Sequence, residues 1–223
     1  MHVFLFSIAG ALTGLLWAQL VISLPASILI AYKALGGAQE DGRDMEPAPA
    51  LTRTNFIWFV ATTALIWTFC AWHWGIAQNG LTALAWAIFY SALLTLAVID
   101  LRDYLLPDAI TQPLIWIGLL VAGAGLISTP VNNSVQGAVA GYVGLWAVSA
   151  AYALATGNPG MGRGDFKLMA MLGAWLGVGA LLPLALAASL ACLTVAAIRW
   201  LLGKDQAQEV PFGPYLAAAA LIL

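Results

Sequence analysis

The chain has 223 residues, of which 62% are hydrophobic and only 8% are charged. Soluble domains carry about 25% charged residues to keep their surfaces in water, so this chain needs an apolar surrounding, and lipid provides one. A net charge of −2 gives no sign of the basic stripe that nucleic-acid binding needs. Cys70 and Cys192 lie in separate apolar runs, which excludes a disulfide framework and a paired-cysteine metal site. The composition therefore predicts an integral membrane protein.

Stretches without any charged residue predict where the first membrane helices lie. A helix needs about 20 apolar residues to cross a bilayer. Residues 1–32 hold one such span, and residues 54–99 and 109–162 hold two each. Turn-forming residues at 75–80 and 128–134 divide the two longer stretches.

The last quarter of the chain is expected to complete the helix bundle. Residues 168–198 are interpreted as two short helices with a turn between Gly177 and Pro183, because two crossings leave every basic residue on one side. The positive-inside rule makes that side cytoplasmic and places the N-terminus outside. Residues 211–223 are too few to cross the bilayer, so they either insert partly or belong to a longer natural chain. The predicted fold class is an all-α, polytopic transmembrane helix bundle with about eight membrane segments.

One helix face and one loop have a recognisable pattern. Gly137 and Gly141 form a G-x-x-x-G step on the predicted fifth helix, a spacing that allows close helix contact but is common by chance in membrane helices rich in Gly and Ala. The longest loop, residues 33–54, is rich in Gly, Pro and acidic residues and is expected to be a flexible cytoplasmic linker.

Two aspartates stand at membrane depth, where ionisable side chains are costly and are candidates for function. Asp100 closes an apolar run at the end of the third helix, and Asp165 follows a Gly-rich loop at the start of the sixth. The order of hairpins returns both to the cytoplasmic face at one level. If they meet, like-charge repulsion keeps one protonated at neutral pH, so that the other takes a proton from water while the protonated one polarises a peptide carbonyl. This pattern predicts peptide hydrolysis without a covalent intermediate.

Other roles for these acids remain open on spacing alone. Asp165 fits a helix N-cap, Asp108 after Pro107 fits one still better, and Asp100 fits an ordinary interfacial charge. A small transporter with Asp100 and Asp165 as a proton relay is a further alternative, although it predicts acids in mid-span, where this chain has none. Two histidines and no cysteine cluster give metal catalysis little support.

Two motifs around these aspartates resemble those of a known family. The segment 99–108 resembles the first active-site motif of the type IV prepilin peptidases. The segment 162–169 resembles the second, the G-x-G-D motif that the family shares with presenilin-type intramembrane proteases. Segments 171–177 and 210–215 are also similar, so the resemblance runs from about residue 80 to the C-terminus.

The resemblance implies that Asp100 and Asp165 are the two catalytic aspartates of a membrane endopeptidase. Such an enzyme cleaves the leader peptide of type IV prepilins or pseudopilins at the cytoplasmic face of the bacterial inner membrane. The peptidase reaction needs no cofactor and no metal. Its partners would be the prepilin-like substrate and the lipid bilayer, with the oligomeric state left open. The residues expected to bind substrate or support the site are Gly162, Gly164, Asp108 and Lys167.

The N-terminal third departs from the family pattern. Many members carry two C-x-x-C pairs in the first cytoplasmic loop and methylate the new N-terminus with S-adenosylmethionine. Residues 33–54 contain no cysteine, which excludes that metal site. S-adenosylmethionine is therefore expected only if methyl transfer is retained. The expected domains are residues 1–79, membrane helices with the linker as a remnant of the methyltransferase region, and residues 80–223, the peptidase membrane domain.

Two other assignments fit the same motifs. A G-x-G-D protease for another substrate class, such as signal peptides or archaeal preflagellins, shares the chemistry and differs in its partner. A non-catalytic assembly protein of a pilus or secretion machine would tolerate the loss of either aspartate.

Overall fold

The computed structural model describes residues 2–34, 52–157, 160–203 and 211–222, and all regular structure within these ranges is helical. This confirms the predicted all-α class, and the eight helices of the described ranges match the predicted number of segments. Most of the predicted linker, residues 35–51, lies outside the described residues. The helices are α1 (His2–Ala34), α2 (Arg53–Trp74), α3 (Ile76–Asp103), α4 (Asp108–Gly123), α5 (Val131–Thr156), α6 (Arg163–Leu176), α7 (Val178–Leu201) and α8 (Gly213–Ile222).

Helix length separates the membrane-crossing candidates from the rest. Within the described residues, α1, α2, α3, α5 and α7 are long and apolar enough to cross a membrane. The other three, α4, α6 and α8, have 16, 14 and 10 residues. Since a crossing needs about 20 residues, the chain is a multi-pass membrane protein that also contains helices shorter than the bilayer.

The helix breaks fall close to the predicted turns and show what causes them. A positive φ at Gly75 separates α2 from α3, and Asn79 then leaves the helical region and kinks α3. The α4–α5 connection begins earlier than predicted, because Gly125 also adopts a positive φ and ends α4. Gly177, with φ 84°, divides α6 from α7 at the start of the predicted interval. The expectation of two short helices there was wrong for α7, which runs for 24 residues with Pro183 inside it.

The first of two compact units, Met1–Pro107, packs α1, α2 and α3 together. A Cβ atom at Gly10 of α1 would lie 2.6 Å from the Cβ of Trp67 on α2, so the two backbones approach closely there. Gly10 and Gly14 form a G-x-x-x-G step that the sequence interpretation overlooked. The indole N–H of Trp67 donates to the Ser91 hydroxyl on α3 at 3.0 Å. Trp67 therefore connects all three helices of this unit.

The second compact unit, Asp108–Leu223, is built around α6. Nearly every side chain of this helix from Phe166 to Trp175 is buried, and α4, α5, α7 and α8 all pack against it. The closest approach is to α5, where a Cβ at Gly137 would collide with the carbonyl of Gly173 and one at Gly141 would lie 2.6 Å from the carbonyl of Met169. The G-x-x-x-G step therefore forms the α5–α6 contact.

The two compact units meet in the chain after Pro107, and this division reflects which helices pack together. The domain boundary predicted near residue 79 is a different kind of boundary, because it separates a methyltransferase remnant from a peptidase domain. The functional boundary therefore stays a prediction.

Alanine at Gly137 or Gly141 is expected to destabilise the second unit, because the added methyl group meets backbone atoms of α6 that cannot move aside. Overpacking of this kind costs about 1–3 kcal/mol. Gly144→Ala is the matched control, since that position on the same helix faces open space. There the higher helix propensity of alanine is expected to leave stability unchanged or raise it by up to about 1 kcal/mol. Thermal unfolding in detergent micelles measures the difference, and equal midpoints for all three variants would contradict it.

Candidate active site

Asp100 lies in the last turn of α3 and is only 5% exposed. The helix ends at Asp103, and the backbone N–H of the C-cap residue Tyr104 donates to the Asp100 carbonyl at 3.0 Å. Tyr104 has a φ of 52° and is the one non-glycine residue of the described ranges with a positive φ. A residue in the left-handed conformation cannot continue a right-handed helix, so α3 stops abruptly here. The first motif therefore places a buried carboxyl group just before a sharp helix end.

Asp165 lies in the first turn of α6 and is half-buried. Gly162 occupies the N-cap position with extended backbone, and Asp165 is the third helical residue, so the N-cap interpretation of Asp165 was wrong. Its backbone N–H donates to the Gly162 carbonyl at 3.2 Å, and its Oδ2 atom would be 3.4 Å from a Cβ at Gly162. A carboxylate is favoured at a helix amino end, where the helix dipole is positive. Gly164, the second helical residue, completes the G-x-G-D turn.

Aromatic side chains of α5 pack against the chain on either side of Asp165. A Cβ at Gly160 would lie 2.6 Å from Cδ1 of Tyr152, so the loop before α6 lies directly on that ring. Phe166 packs edge-on against Tyr142, with ring centroids 6.0 Å apart. Sequence reasoning missed both tyrosines. The only signal was that they interrupt a helix otherwise rich in small apolar residues.

The carboxyl end of α6 is closed by hydrogen bonds from neighbouring segments. The last carbonyls of a helix have no partner within it, and an apolar surrounding supplies no water. The hydroxyl of Ser134 donates to the Ala174 carbonyl, and the hydroxyl of Thr129 donates to the Trp175 carbonyl at 3.0 Å. The indole N–H of Trp175 donates in turn to the Leu114 carbonyl of α4 at 2.9 Å. These residues hold α6 in place and were not identified from the sequence.

An ion pair joins the amino ends of α4 and α6. Both carboxylate oxygens of Asp108 lie 2.6 Å from Nζ of Lys167. The Gln112 amide donates to the same carboxylate at 3.4 Å. Asp108 is the first residue of α4, so its carboxylate sits at the positive end of the helix dipole while also binding a lysine.

Four of the five predicted site residues of the second unit thus form two pairs, Gly162 with Asp165 and Asp108 with Lys167, and Gly164 lies beside Asp165 in the first turn of α6. Asp100 belongs to the first compact unit, so its pairing with Asp165 stays a prediction. Within the residues that the structure describes, no three His, Cys, Asp or Glu side chains group in a way that could hold a metal ion.

The part of the chain that contains both aspartates is similar to a known protein family. The model of the type IV leader peptidase family matches residues 87–197, about half of the chain. No solved structure matches.

Individual curated proteins are similar to a larger part of the chain than the family model is. The chain is 40% identical over 163 residues to a prepilin leader peptidase/N-methyltransferase of Xanthomonas campestris pv. campestris, which covers 72% of this chain and 55% of that protein. A protein of the same name from Pseudomonas aeruginosa is 38% identical over 199 residues, covering 87% of this chain and 64% of the relative. One from Pectobacterium carotovorum subsp. carotovorum is 48% identical over 131 residues, covering 58% and 47%. The chain therefore spans about half to two thirds of the length of these relatives.

Ser134→Ala is expected to destabilise the second unit by about 1–3 kcal/mol, because it leaves the buried Ala174 carbonyl without its donor. Ser149→Ala, a partly buried serine on the same helix, serves as the control and is expected to change stability little. Thermal unfolding in micelles compares the two. An unchanged midpoint for Ser134→Ala would show that this hydroxyl does not stabilise the end of α6.

Proposed function

Because the chain belongs to the type IV leader peptidase family, we propose that it is a membrane aspartic endopeptidase that removes the leader peptide of type IV prepilins or pseudopilins. The observation that carries this proposal is the family match over residues 87–197, which contains Asp100 at the end of α3 and Asp165 at the start of α6. Each aspartate also lies in a motif that resembles one half of the family's active site.

In the proposed mechanism, Asp100 and Asp165 share one proton. Two carboxyl groups that lie close together resist double ionisation, so one stays protonated at neutral pH. The ionised group takes a proton from a water molecule, whose oxygen attacks the scissile carbonyl carbon. The protonated group donates a hydrogen bond to the carbonyl oxygen as negative charge develops there. Transfer of a proton to the amide nitrogen then lets the C–N bond break, and the two carboxyl groups again share one proton.

The surroundings of Asp165 suit a rigid catalytic group. Packing of α6 on all sides restricts the motion of the helix that carries it, and a preorganised carboxyl group needs little rearrangement during the reaction. We assign to Gly162 and Gly164 the role of letting a substrate backbone approach, since neither has a side chain. Asp108 and Lys167 are assigned to substrate binding or to support of the site.

The proposed setting is the bacterial inner membrane, with the active site facing the cytoplasm. The apolar helix of the substrate would lie in the bilayer beside the enzyme while its leader remains in the cytoplasm. Residues 80–223 would form the peptidase domain and residues 1–79 the remnant of the methyltransferase region. A proton-relay transporter is less well supported, because Asp100 and Asp165 stand at helix ends rather than in mid-span.

The relatives are also named N-methyltransferases. Methyl transfer to the new N-terminus would require S-adenosylmethionine, whereas the proposed peptidase reaction requires no cofactor. Most of the cysteine-free loop that stands in place of the family's C-x-x-C pairs, residues 35–51, lies outside the described residues.

Asp100→Asn and Asp165→Asn are each expected to lower the rate of leader removal by about 10²–10⁴-fold, because an amide can neither accept nor supply the catalytic proton. Co-expression with a candidate prepilin, followed by mass and N-terminal sequencing of the product, measures the effect. Asp103→Asn makes the same chemical change in the same helical turn and is the matched control, expected to retain activity. Leader removal that survives both Asp100→Asn and Asp165→Asn would disprove the mechanism.

Methylation is tested with purified protein, a full-length prepilin that still carries its leader, and added S-adenosylmethionine. A chain that retains methyl transfer is expected to add one methyl mass to the processed pilin, and omission of S-adenosylmethionine abolishes that addition without slowing cleavage. Cleavage that stops without S-adenosylmethionine would contradict a cofactor-free peptidase.

A further inference from the structure

The contact between Asp108 and Lys167 has a geometry unlike an incidental surface pair. The ammonium group lies 2.6 Å from both carboxylate oxygens, so the two side chains are held in one arrangement. The Lys167 side chain is 26% exposed, whereas that of Asp108 is 52% exposed. The lysine stem is thus largely packed against the protein, and the pair is anchored from the α6 side.

The chain positions of the two residues relate this pair to both proposed catalytic groups. Lys167 follows Asp165 by two residues on α6, and residues two apart on a helix point in directions that differ by about 200°. Lys167 therefore extends away from the side of α6 that carries the Asp165 carboxyl group. Asp108 follows Asp100 by eight residues and is the first residue of the next helix. The ion pair thus links the amino end of α6, which carries Asp165, to the amino end of α4.

A second contact holds the carboxyl end of α6 against α4. Trp175 donates to the Leu114 carbonyl, and a Cβ at Gly118 would lie 2.7 Å from its indole ring. Lys167 and Trp175 are eight residues apart, about 12 Å along the helix axis. Together with the close packing of α6 on α5, these two contacts restrict sliding and rotation of α6 on α4.

We propose that the Asp108–Lys167 ion pair positions Asp165, by holding the amino end of α6 against the amino end of α4, and that neither side chain touches the substrate. This inference rests on the proposed peptidase function and decides between the two roles assigned to the pair above. It predicts a particular kinetic pattern. Exposed ion pairs contribute little to folding stability, so loss of the pair leaves the protein folded while Asp165 is misplaced.

The test measures kcat, KM and the thermal midpoint of purified enzyme in micelles with a full-length prepilin substrate. Lys167→Gln and Asp108→Asn are expected to lower kcat about 100-fold, the effect of a misplacement near 1 Å, with KM and the thermal midpoint unchanged. Lys167→Arg is expected to retain most of the activity, because a guanidinium group also binds both oxygens of a carboxylate. The exchanged pair, Asp108→Lys with Lys167→Asp, is expected to recover a large part of the lost kcat.

Two controls test whether other changes could produce the same effect. Gln112→Ala removes the neutral hydrogen bond to the same carboxylate, and Arg53→Gln removes a positive charge from the start of α2. Both are expected to leave kcat unchanged.

Four different results would each overturn the positioning role of the ion pair, and they can be told apart. Wild-type kcat in Lys167→Gln, while Asp165→Asn is inactive, would overturn the positioning role and leave the proposed function standing. A raised KM with unchanged kcat would overturn it in favour of substrate contact. A fall in the thermal midpoint that accounts for the lost activity would overturn it in favour of a folding role. A wild-type chain unable to cleave prepilin would overturn the proposed function together with this inference.

Discussion

The second unit depends on the burial of a helix that is too short to cross the bilayer. An α-helix of 14 residues leaves unpaired backbone groups at both ends, and an apolar surrounding provides no water to bind them. Neighbouring segments must therefore supply partners. Ser134 and Thr129 do so at the carboxyl end, and the close contact at Gly137 brings α5 near enough for the first of these bonds to form.

The two ends of α6 have different surroundings, and this difference suits catalysis. The carboxyl end is closed by hydroxyl groups and by the Trp175 indole, all of which bind carbonyl oxygens or fix the helix on α4. The amino end carries Asp165 beside glycines, which leave space next to the carboxyl group. One end thus provides stability, while the other presents a reactive group on a helix that cannot easily move.

Sequence reasoning was most successful where the signal is local. Absence of charge predicted the helices, and Gly75 and Gly177 ended them because glycine adopts positive φ without strain. It was least successful at helix ends and helix faces. The N-cap interpretation of Asp165 was wrong by three residues, because a capping pattern does not specify which residue becomes the first helical one. The glycine pairs on α1 and α5 are contact surfaces, which their spacing alone could not establish since it recurs by chance.

Charge distribution, helix number and the positions of Asp100 and Asp165 at helix ends follow from the amino-acid order, since each depends on neighbouring residues and on the length needed to cross a membrane. The partners of Lys167, Ser134 and Trp175 do not follow from it. Each bonds to a residue 40 to 61 positions away, and helical periodicity carries no information about which faces meet across such a distance. Folding selects these contacts because a buried helix must satisfy its backbone and fill the space around it at the same time, and only the packed arrangement of all its neighbours does both.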